Sequence, residues 1–414
     1  MVHQYSLFPN APGVSAAIHQ TITNSSTRMA SGPGSPCASA PDEDNESTIS
    51  SNSTTSTDFY AQEPFGTFCL KVLKLANDTI WPEPEFEAIQ TNYMEGGLDH
   101  RIVGITRRRH DFANTTNPPV DEQFILRTPR YASVGGIQET VATLSFLKEH
   151  TTIPVPRVEA FDASRDNILD RPYTIQNLVS GTALISAYPK LSHSGRCRVA
   201  TELGGIFKQM LETRCDMAGK LTLAKNGGEN EDGELQYRAM PLLPRDPSLS
   251  RPYSNGPPSQ STHDLLTSIL LAEKADDDPE QFGNDDEAPW RPLWDKFLTV
   301  TQQLEECGWL ADRHYYCVAL TNLEFKSHNI LANTDTDDPN APMISVVLDW
   351  DYAVFAPAFV ACQPPMWLWA WKDDEDEDEG EANEVPETPE RQEIKRLFEE
   401  AAGEDYAQLS YPPA

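Results

Sequence analysis

Two short stretches in the second half of the chain most constrain what it can fold into. Leu320–Ala332 reads LTNLEFKSHNILA, and Ser345–Pro357 reads SVVLDWDYAVFAP. In the first, four residues separate the acid Glu324 from Asn329; in the second, Asp349 ends an apolar run. Carboxylate and amide oxygens are ligands that Mg²⁺ accepts beside phosphates. The pattern therefore predicts a metal–phosphate site made by two loops.

Length, composition and charge bound the kind of protein that can carry this site. A chain of 414 residues exceeds the size of one efficient core, which predicts two lobes. The formal net charge of −32 argues against nucleic acid or an anionic membrane as a partner. Part of this excess lies in Asp373–Glu381, DDEDEDEGE, which is typical of a solvated loop, whereas Thr106–His110 is a basic island.

The cysteines and the N-terminal sequence indicate a compartment. Seven cysteines are scattered without close pairs, which favours reduced thiols inside the cell. The N-terminus lacks the charged and apolar regions of a secretory signal, and no apolar run approaches the ~20 residues that span a bilayer. We expect a soluble, cytoplasmic protein with no membrane partner.

The first part of the chain divides into a polar segment and a strand-rich region. Residues 1–60 are rich in Ser, Thr and Asn, and too few bulky apolar residues offset their ordering entropy, so we predict disorder. Order begins near Phe65–Leu75 and opens a β-rich lobe over residues 61–180. Its strands include Arg101–Thr106 and Gln123–Thr128, and a helix follows in which Val141, Leu144 and Leu147 recur at helical spacing.

The rest of the chain, residues 181–414, indicates an α-rich lobe. Two helices are predicted by apolar stripes at Val199, Leu203, Ile206 and Met210 and at Leu293, Phe297, Val300 and Leu304. Residues 225–262 form a predicted flexible insertion, and residues 373–388 a low-complexity acidic loop. A last helix is capped by Thr388, starts at Pro389 and is expected to end at Gly403.

The order of the two loop motifs and the two predicted lobes indicates which chemistry the site serves. Phosphoryl transfer needs the phosphates held in line, a divalent metal, and a carboxylate that orients or deprotonates the acceptor. Glu324 and Asn329 have the spacing of a kinase catalytic loop, and Asp349 follows the next strand. Either motif alone arises by chance in long chains. Their combination behind a β-lobe and within an α-lobe favours a phosphotransferase.

Six blocks between residues 93 and 371 carry a family resemblance: MEGGLDHRIVGIT, QFILRTPR, ETVATLSFLKEHTTIPVPRVEAFD, PYTIQNLVSGTAL, LTNLEFKSHNILAN and VVLDWDYAVFAPAFVACQPPMWLW. In order and spacing they resemble the fungal members of the aminoglycoside phosphotransferase-type family. The resemblance implies an α+β, protein-kinase-like fold with a small β-rich N-lobe and a larger α-helical C-lobe. It also implies ATP between the lobes and transfer to a hydroxyl of an unidentified small-molecule acceptor.

The resemblance also implies residues that hold the phosphates. Gly96 and Gly97 would lie in the loop over the phosphates, although two glycines between strands are equally a plain hairpin. Arg127 would contact the phosphates with its planar guanidinium, or else be a surface arginine of a strand. Glu139 would pair with Arg127, or else be an acid favoured in a helix's first turn.

The remaining implied roles concern the adenine and the metal. The segment Gln176–Val179, which includes Leu178, would correspond to the linker whose backbone hydrogen-bonds adenine. Asn329 and Asp349 would be the Mg²⁺ ligands.

The catalytic loop departs from the family pattern in three places. Asn322 stands where the family usually has His, Glu324 where it has the catalytic Asp, and His328 where a basic residue precedes the metal-binding Asn. Glu324 would orient the acceptor with its carboxylate moved outward by roughly 1.5 Å. A ~1 Å misplacement can cost about a hundredfold in rate. The alternative to a small-molecule O-kinase is therefore a catalytically impaired pseudokinase acting as a nucleotide-binding or interaction module.

Two further readings concern neighbouring sequence. Phosphorylation of a protein is weaker, because no Ala-Pro-Glu signature follows Asp349. The segment Cys362–Trp371, CQPPMWLWAW, could line an acceptor pocket, but helix packing is favoured.

Overall fold

The computed structural model describes residues 63–82, 86–94, 99–109, 120–131, 136–215, 218–223, 237–241, 262–276, 291–308, 310, 318–334, 341–371 and 384–410. The predicted disordered segment, the glycines Gly96 and Gly97, and residues 373–383 of the predicted acidic loop lie outside this part of the chain. The predicted domain boundaries stay predictions.

The first lobe is built on a five-stranded antiparallel sheet. Its strands are β1 (Phe86–Tyr93), β2 (His100–Arg109), β3 (Val120–Pro129), β4 (Val158–Asp162) and β5 (Tyr173–Asn177), in the order β1-β2-β3-β5-β4. Apolar side chains alternate along β2 and β3, so one face of the sheet is buried. Both strands predicted from the sequence are confirmed.

Two helices flank this sheet and belong to different cores. Helix α1 (Phe65–Leu75) buries Phe68, Val72 and Leu75 against the sheet, in the smaller core. Helix α2 (Ile137–His150) instead contributes its apolar face to the larger core of the second lobe. Helix α2 therefore lies between the two lobes.

The second lobe contains more strands than the sequence predicted. They are β6 (Thr182–Ala183), β7 (Arg214–Cys215), β8 (Gly219–Leu223), β9 (Tyr237–Pro241), β10 (Val318–Asn322), β11 (Ile330–Ala332), β12 (Ile344–Val347) and β13 (Ala353–Pro357). They form antiparallel sheets in the orders β7-β10-β13-β8-β9 and β12-β11-β6. Strand β9 falls within residues 225–262, where a flexible insertion was predicted. Strands buried on both faces, such as β13, show no alternation and so escape a search by periodicity.

The helices of the second lobe are α3 (Leu184–Ala187), α4 (His193–Glu212), α5 (Thr262–Asp276), α6 (Arg291–Glu306), α7 (Ala358–Ala361) and α8 (Pro389–Ser410). Both predicted apolar stripes lie on helices, α4 and α6. The described part of the chain contains no helix that is both long enough and apolar enough to cross a membrane.

Helices α4 and α8 run side by side in the same direction. His193 contacts Glu393 near their starts, and Arg214, just after α4, contacts Asp405. Between these contacts the helices approach closely at Gly204, where a Cβ atom would lie 2.5 Å from the carbonyl oxygen of Phe398. A side chain at this position would therefore separate the two helices.

The ends of α8 test two predictions. The Thr388 hydroxyl accepts a hydrogen bond from the Arg391 N–H at 3.3 Å, as a cap should. The first helical piece ends at Gly403, as predicted, because the φ of 90° and ψ of −177° of this residue are not helical. A second helical piece follows and runs to Ser410. The second piece is held because Tyr406 is buried against Phe207 and Phe398.

The tryptophan-rich segment is part of the core. Trp367 and Trp369 are buried, and the Tyr188 hydroxyl donates to the Leu368 carbonyl oxygen at 2.6 Å. The Trp367 ring meets the Tyr188 ring edge-on at 5.6 Å. These contacts support the packing interpretation of the segment over an acceptor pocket.

Candidate active site

A buried ion pair joins the two lobes. Arg127, on β3, donates from Nη2 to Oδ2 of Asp351 at 2.7 Å. Asp351 lies in the turn Trp350–Tyr352, between β12 and β13, and its second oxygen Oδ1 accepts from the Thr140 hydroxyl of α2 at 2.6 Å. Both carboxylate oxygens are therefore satisfied, which a buried charge requires.

The surroundings of Asp351 keep it ionised. Burial alone would raise the pKa of this carboxyl, but the Arg127 guanidinium, His100 and the Thr140 hydrogen bond hold the pKa well below its usual range. His100 has its Nδ1 3.4 Å from Arg127 Nη2. Burial, with the nearby Arg127 charge, lowers the pKa of His100 to about 4, so the imidazole is neutral at pH 7. Arg127 and Asp351 thus form a charge pair of net zero.

Asp349, the predicted metal ligand, behaves in the opposite way. Burial, the neighbouring Asp351 charge and, more weakly, Glu324 raise the pKa of Asp349 to about 7, although Arg127 opposes them. Its Oδ1 lies 3.7 Å from Arg127 Nη2. A hydrogen bond with Asp351 also raises the pKa of Asp349, whereas a divalent cation beside Asp349 would favour its ionised form.

The backbone at Asp349 is in the left-handed region, with φ 58° and ψ 58°. Aspartate is one of the few residues other than glycine that adopts this conformation readily. The turn lets the chain leave β12 and enter β13 while two acids, Asp349 and Asp351, project near the same arginine.

The predicted catalytic loop lies directly beside this turn. Asn329 accepts at its carbonyl oxygen from the Leu348 N–H at 2.7 Å, which ties the loop to the residue before Asp349. The Asn329 side chain donates from Nδ2 to the Glu324 carbonyl oxygen at 3.0 Å. This hydrogen bond fixes the amide plane and leaves Oδ1 as the atom suited to a cation.

Glu324 is buried and paired in this structure. Its side chain is 2% exposed, and Oε2 lies 3.0 Å from the Lys326 ammonium. Its N–H donates to Oδ1 of Asn322 at 2.9 Å, so Asn322 shapes the loop. Among the described residues, Glu324 Oε1 and Asn322 Nδ2 are buried without a hydrogen-bond partner. The carboxylate therefore has one oxygen engaged and one unsatisfied.

The expected pair of Arg127 with Glu139 is wrong, because Arg127 pairs with Asp351. Thr140, the next residue on α2, presents its hydroxyl to Asp351, so Glu139 projects elsewhere. Its carboxylate lies over Gly136, where an added Cβ would fall 1.9 Å from Oε2. The Glu139 charge acts instead on Lys220. Burial lowers the pKa of Lys220, and the Glu139 charge opposes part of this lowering.

The segment predicted to face adenine is committed to the sheet. Gln176 is buried on β5, opposite Ile125 of β3. The Leu178 N–H donates to the Gln123 carbonyl oxygen at 2.9 Å. Leu178 therefore has its carbonyl group, not its N–H, to offer a base.

Sequence reasoning missed four members of this site. Asp351 could have been found, since the sequence LDWD carries two acids and only the first was assigned. Thr140 and His100 lie on elements that were predicted, yet no pattern marks them. Lys220, on β8, lies with Nζ 3.4 Å from the Asp351 carbonyl oxygen and had no signal at all. They converge only through the packing of β2, α2 and β8 around one turn.

The fold and the site together define an α+β protein with an antiparallel sheet, a helix-rich second lobe and a buried acid–arginine site where they meet. No family model matches the chain. Over 100 residues it is 34% identical to the protein named altered inheritance of mitochondria protein 9, mitochondrial, of Clavispora lusitaniae. The match covers 23% of this chain and 15% of that protein's length.

Several solved aminoglycoside phosphotransferases are similar to the chain. The GDP and kanamycin complex of APH(2")-IIia has 12% identity and a TM-score of 0.42, over 82% of this chain and 88% of that one. The streptomycin–ATP complex of APH(2")-IIa has 13% identity and a TM-score of 0.41, over 80% and 81%. These likenesses concern the course of the backbone, and the chemistry must come from this chain's own residues.

Proposed function

We propose that the chain is an ATP- and Mg²⁺-dependent phosphotransferase that acts on a hydroxyl of a small molecule. The observation that carries this proposal is the meeting of Arg127 with Asp349 and Asp351 across the two lobes. A cation on one strand and two acids on a turn are what a metal–nucleotide needs, because arginine binds phosphate oxygens and carboxylates bind the metal.

The donor set fits a hard cation. Asp349 is one-third exposed, and Asn329 keeps its amide oxygen unused by the hydrogen bond to Glu324. Both groups supply oxygen, which suits Mg²⁺ and not a softer metal. When bound, Mg²⁺ would neutralise charge that develops on the transferred phosphoryl group.

The acceptor step assigns a role to Glu324. The acceptor oxygen forms a bond to the γ-phosphorus as the bond to the bridging oxygen breaks, ADP leaves, and Glu324 takes the hydroxyl proton. For this to happen, the Glu324 carboxylate has to turn out of its buried position beside Lys326. Asn322 holds the loop backbone during this movement through its bond to the Glu324 N–H.

A second candidate, a nucleotide-binding pseudokinase, is favoured by the state of the same residues. Glu324 is 2% exposed and paired with Lys326, and Arg127 is engaged by Asp351. A carboxylate fixed in this position cannot reach an acceptor, whereas Asn329 and Asp349 could still hold a metal. The two candidates therefore share nucleotide binding and differ in turnover.

Nucleotide binding is tested by the thermal shift that Mg-ATP causes. A ligand that binds the folded state at 100 times its Kd stabilises by about 2.7 kcal/mol, so Tm should rise by several degrees. Asp349→Asn should abolish most of the shift. Asp170→Asn is the matched control, because Asp170 is an exposed aspartate with a similar φ of 55°. No shift for the wild type would reject both candidates.

Turnover separates the enzyme from the pseudoenzyme. ADP formation from Mg-ATP is compared for wild type, Glu324→Ala and Glu324→Asp, with a panel of hydroxyl-bearing small molecules present. The enzyme proposal expects wild type to exceed Glu324→Ala by about 10²-fold or more, the usual share of a general base. If wild type equals Glu324→Ala while Glu324→Asp gains activity, the chain is the pseudokinase.

A further inference from the structure

Three metal-binding side chains meet where α4 and α8 begin, away from the site described above. His193 and Cys197 are one helical turn apart on α4, and Glu393 lies on α8. One ligand atom from each lies within 4.8 Å of the others. This is the one such group of three among the described residues, and the phosphotransferase proposal gives it no role.

The spacing of these atoms approaches that of a tetrahedral zinc site. With Zn–S near 2.3 Å and Zn–N near 2.0 Å, tetrahedral geometry puts the sulfur and nitrogen ligands ~3.5 Å apart. Cys197 Sγ lies 3.5 Å from His193 Nε2. The same geometry puts nitrogen and oxygen ligands ~3.4 Å apart, and His193 Nε2 lies 2.8 Å from Glu393 Oε2. Cys197 Sγ also lies 3.9 Å from His193 Nδ1, so the imidazole has to turn, and its hydrogen bond to Glu393 has to open, before Nε2 and Sγ can face one ion.

The positions of the three side chains suit a site that an ion can enter. The His193 and Glu393 side chains are 36% and 48% exposed, and Cys197 is half-buried. Spacing of four residues on one helix aligns the histidine and the cysteine on the same face. The helix backbones are fixed by the close approach at Gly204, so the ligands have little freedom to separate.

We propose that His193, Cys197 and Glu393 form a Zn²⁺ site that ties α4 to α8, with water in the fourth position. Cysteine and histidine select zinc over Mg²⁺ or Ca²⁺, which prefer oxygen ligands. The ion would replace the hydrogen bond between His193 and Glu393 by two coordinate bonds and add a third from sulfur. Its effect on this protein is structural, because it clamps two helices that are distant in sequence.

Cobalt provides the direct test, because a thiolate bound to Co²⁺ gives a charge-transfer band that identifies the sulfur ligand. The full chain, reduced and freed of metal, is titrated with Co²⁺ and the ion is then displaced with Zn²⁺. We expect one equivalent of the band, loss of it in Cys197→Ser, and its retention in Cys215→Ser, the matched control for another half-buried thiol. Absence of the band, or a band that survives Cys197→Ser, would overturn the proposal.

Thermal shift in Zn²⁺ keeps the test independent of spectroscopy. Wild type should gain several degrees in Tm with Zn²⁺ and lose them with a chelator, whereas His193→Gln should show at least a tenfold weaker Zn²⁺ affinity. Tm in chelator should be nearly the same for both, since an exposed contact between His193 and Glu393 contributes little to stability. If His193→Gln binds Zn²⁺ as tightly as wild type, the site is elsewhere. Failure here leaves Mg-ATP binding untouched, and the reverse also holds.

Discussion

Arg127 and Asp351 are separated by 224 positions in the chain and joined by a 2.7 Å hydrogen bond. Arg127 is on the first sheet, and Asp351 is on the turn between two strands of the second lobe. A second link lies nearby, since the Tyr352 hydroxyl donates to Asp99 at 3.0 Å. The relative position of the two lobes at the candidate active site is therefore fixed by side chains of the site itself.

Replacing Arg127 should lower the free energy of unfolding. Arg127→Met leaves Asp351 buried without its main counter-charge, and breaking such a pair costs about 3–5 kcal/mol. We expect this loss in the free energy of unfolding, measured with denaturant. The double variant Arg127→Met, Asp351→Asn should recover part of the loss, because it removes the uncompensated charge. A double variant less stable than Arg127→Met would contradict the role given to the pair.

The Thr140 hydroxyl should matter independently of the arginine. Thr140→Val keeps the shape but leaves Asp351 Oδ1 without the donor now at 2.6 Å, which costs about 1–3 kcal/mol. Thr143→Val is the control, because Thr143 is equally buried on α2 and the described contacts of Asp351 do not include it. The measurement is again denaturant unfolding, and equal losses for both variants would count against the assignment.

Stability should fall as pH rises from about 4 to about 7 through Asp349. The folded state raises the pKa of Asp349 from 3.8 to about 7, so across this window it holds a proton that the unfolded chain releases. A group that binds more protons when folded loses its stabilisation as pH rises through the folded pKa. Asp349→Asn should remove this pH-dependent component. The free energy of unfolding of the variant should therefore rise relative to that of wild type between pH 5 and pH 8 in metal-free buffer. Parallel pH profiles for the two proteins would refute the shift.

Substitution by alanine should destabilise the contact of α4 with α8 at Gly204 and not at Gly205. Gly204→Ala places a Cβ 2.5 Å from the Phe398 carbonyl oxygen and 2.7 Å from Ala401 Cβ, so the helices must separate. Overpacking of this kind costs about 1–3 kcal/mol. Gly205→Ala meets nothing within 4 Å and should be neutral or stabilise by about 0.5–1 kcal/mol. Thermal unfolding of both variants gives the comparison.

Much of the fold could be predicted from local sequence signals. Helix α2 and strands β2 and β3 carry clear periodicity, and the Thr388–Pro389 cap marks the start of α8. The small sheets of the second lobe could not be predicted this way. Their strands are short, and a strand buried on both faces, such as Ala353–Pro357, has no alternating pattern.

The parts of the candidate site that lie within one loop could be predicted from the sequence, whereas the contacts between distant elements could not. Glu324, Asn329 and Asp349 were found because their loops have characteristic spacing, and their hydrogen bonds join the same loops. The partner of Arg127 was missed, because the choice between Glu139 and Asp351 depends on how α2 is rotated. A rotation of one residue along the helix puts Thr140, not Glu139, against the acid.

The side-by-side arrangement of α4 and α8 has a consequence for how the protein folds during synthesis. The contact of His193 with Glu393 closes a loop of 200 residues. Phe207 of α4 packs against Phe398 and Tyr406 of α8, so its packing is complete only when α8 is in place. Contacts of such long range form late in folding, because the entropy cost of closing the loop comes before the stabilisation that the contacts provide. While the ribosome is still making α8, the part of α4 that packs against it, which includes Gly204 and Phe207, is not yet covered by α8.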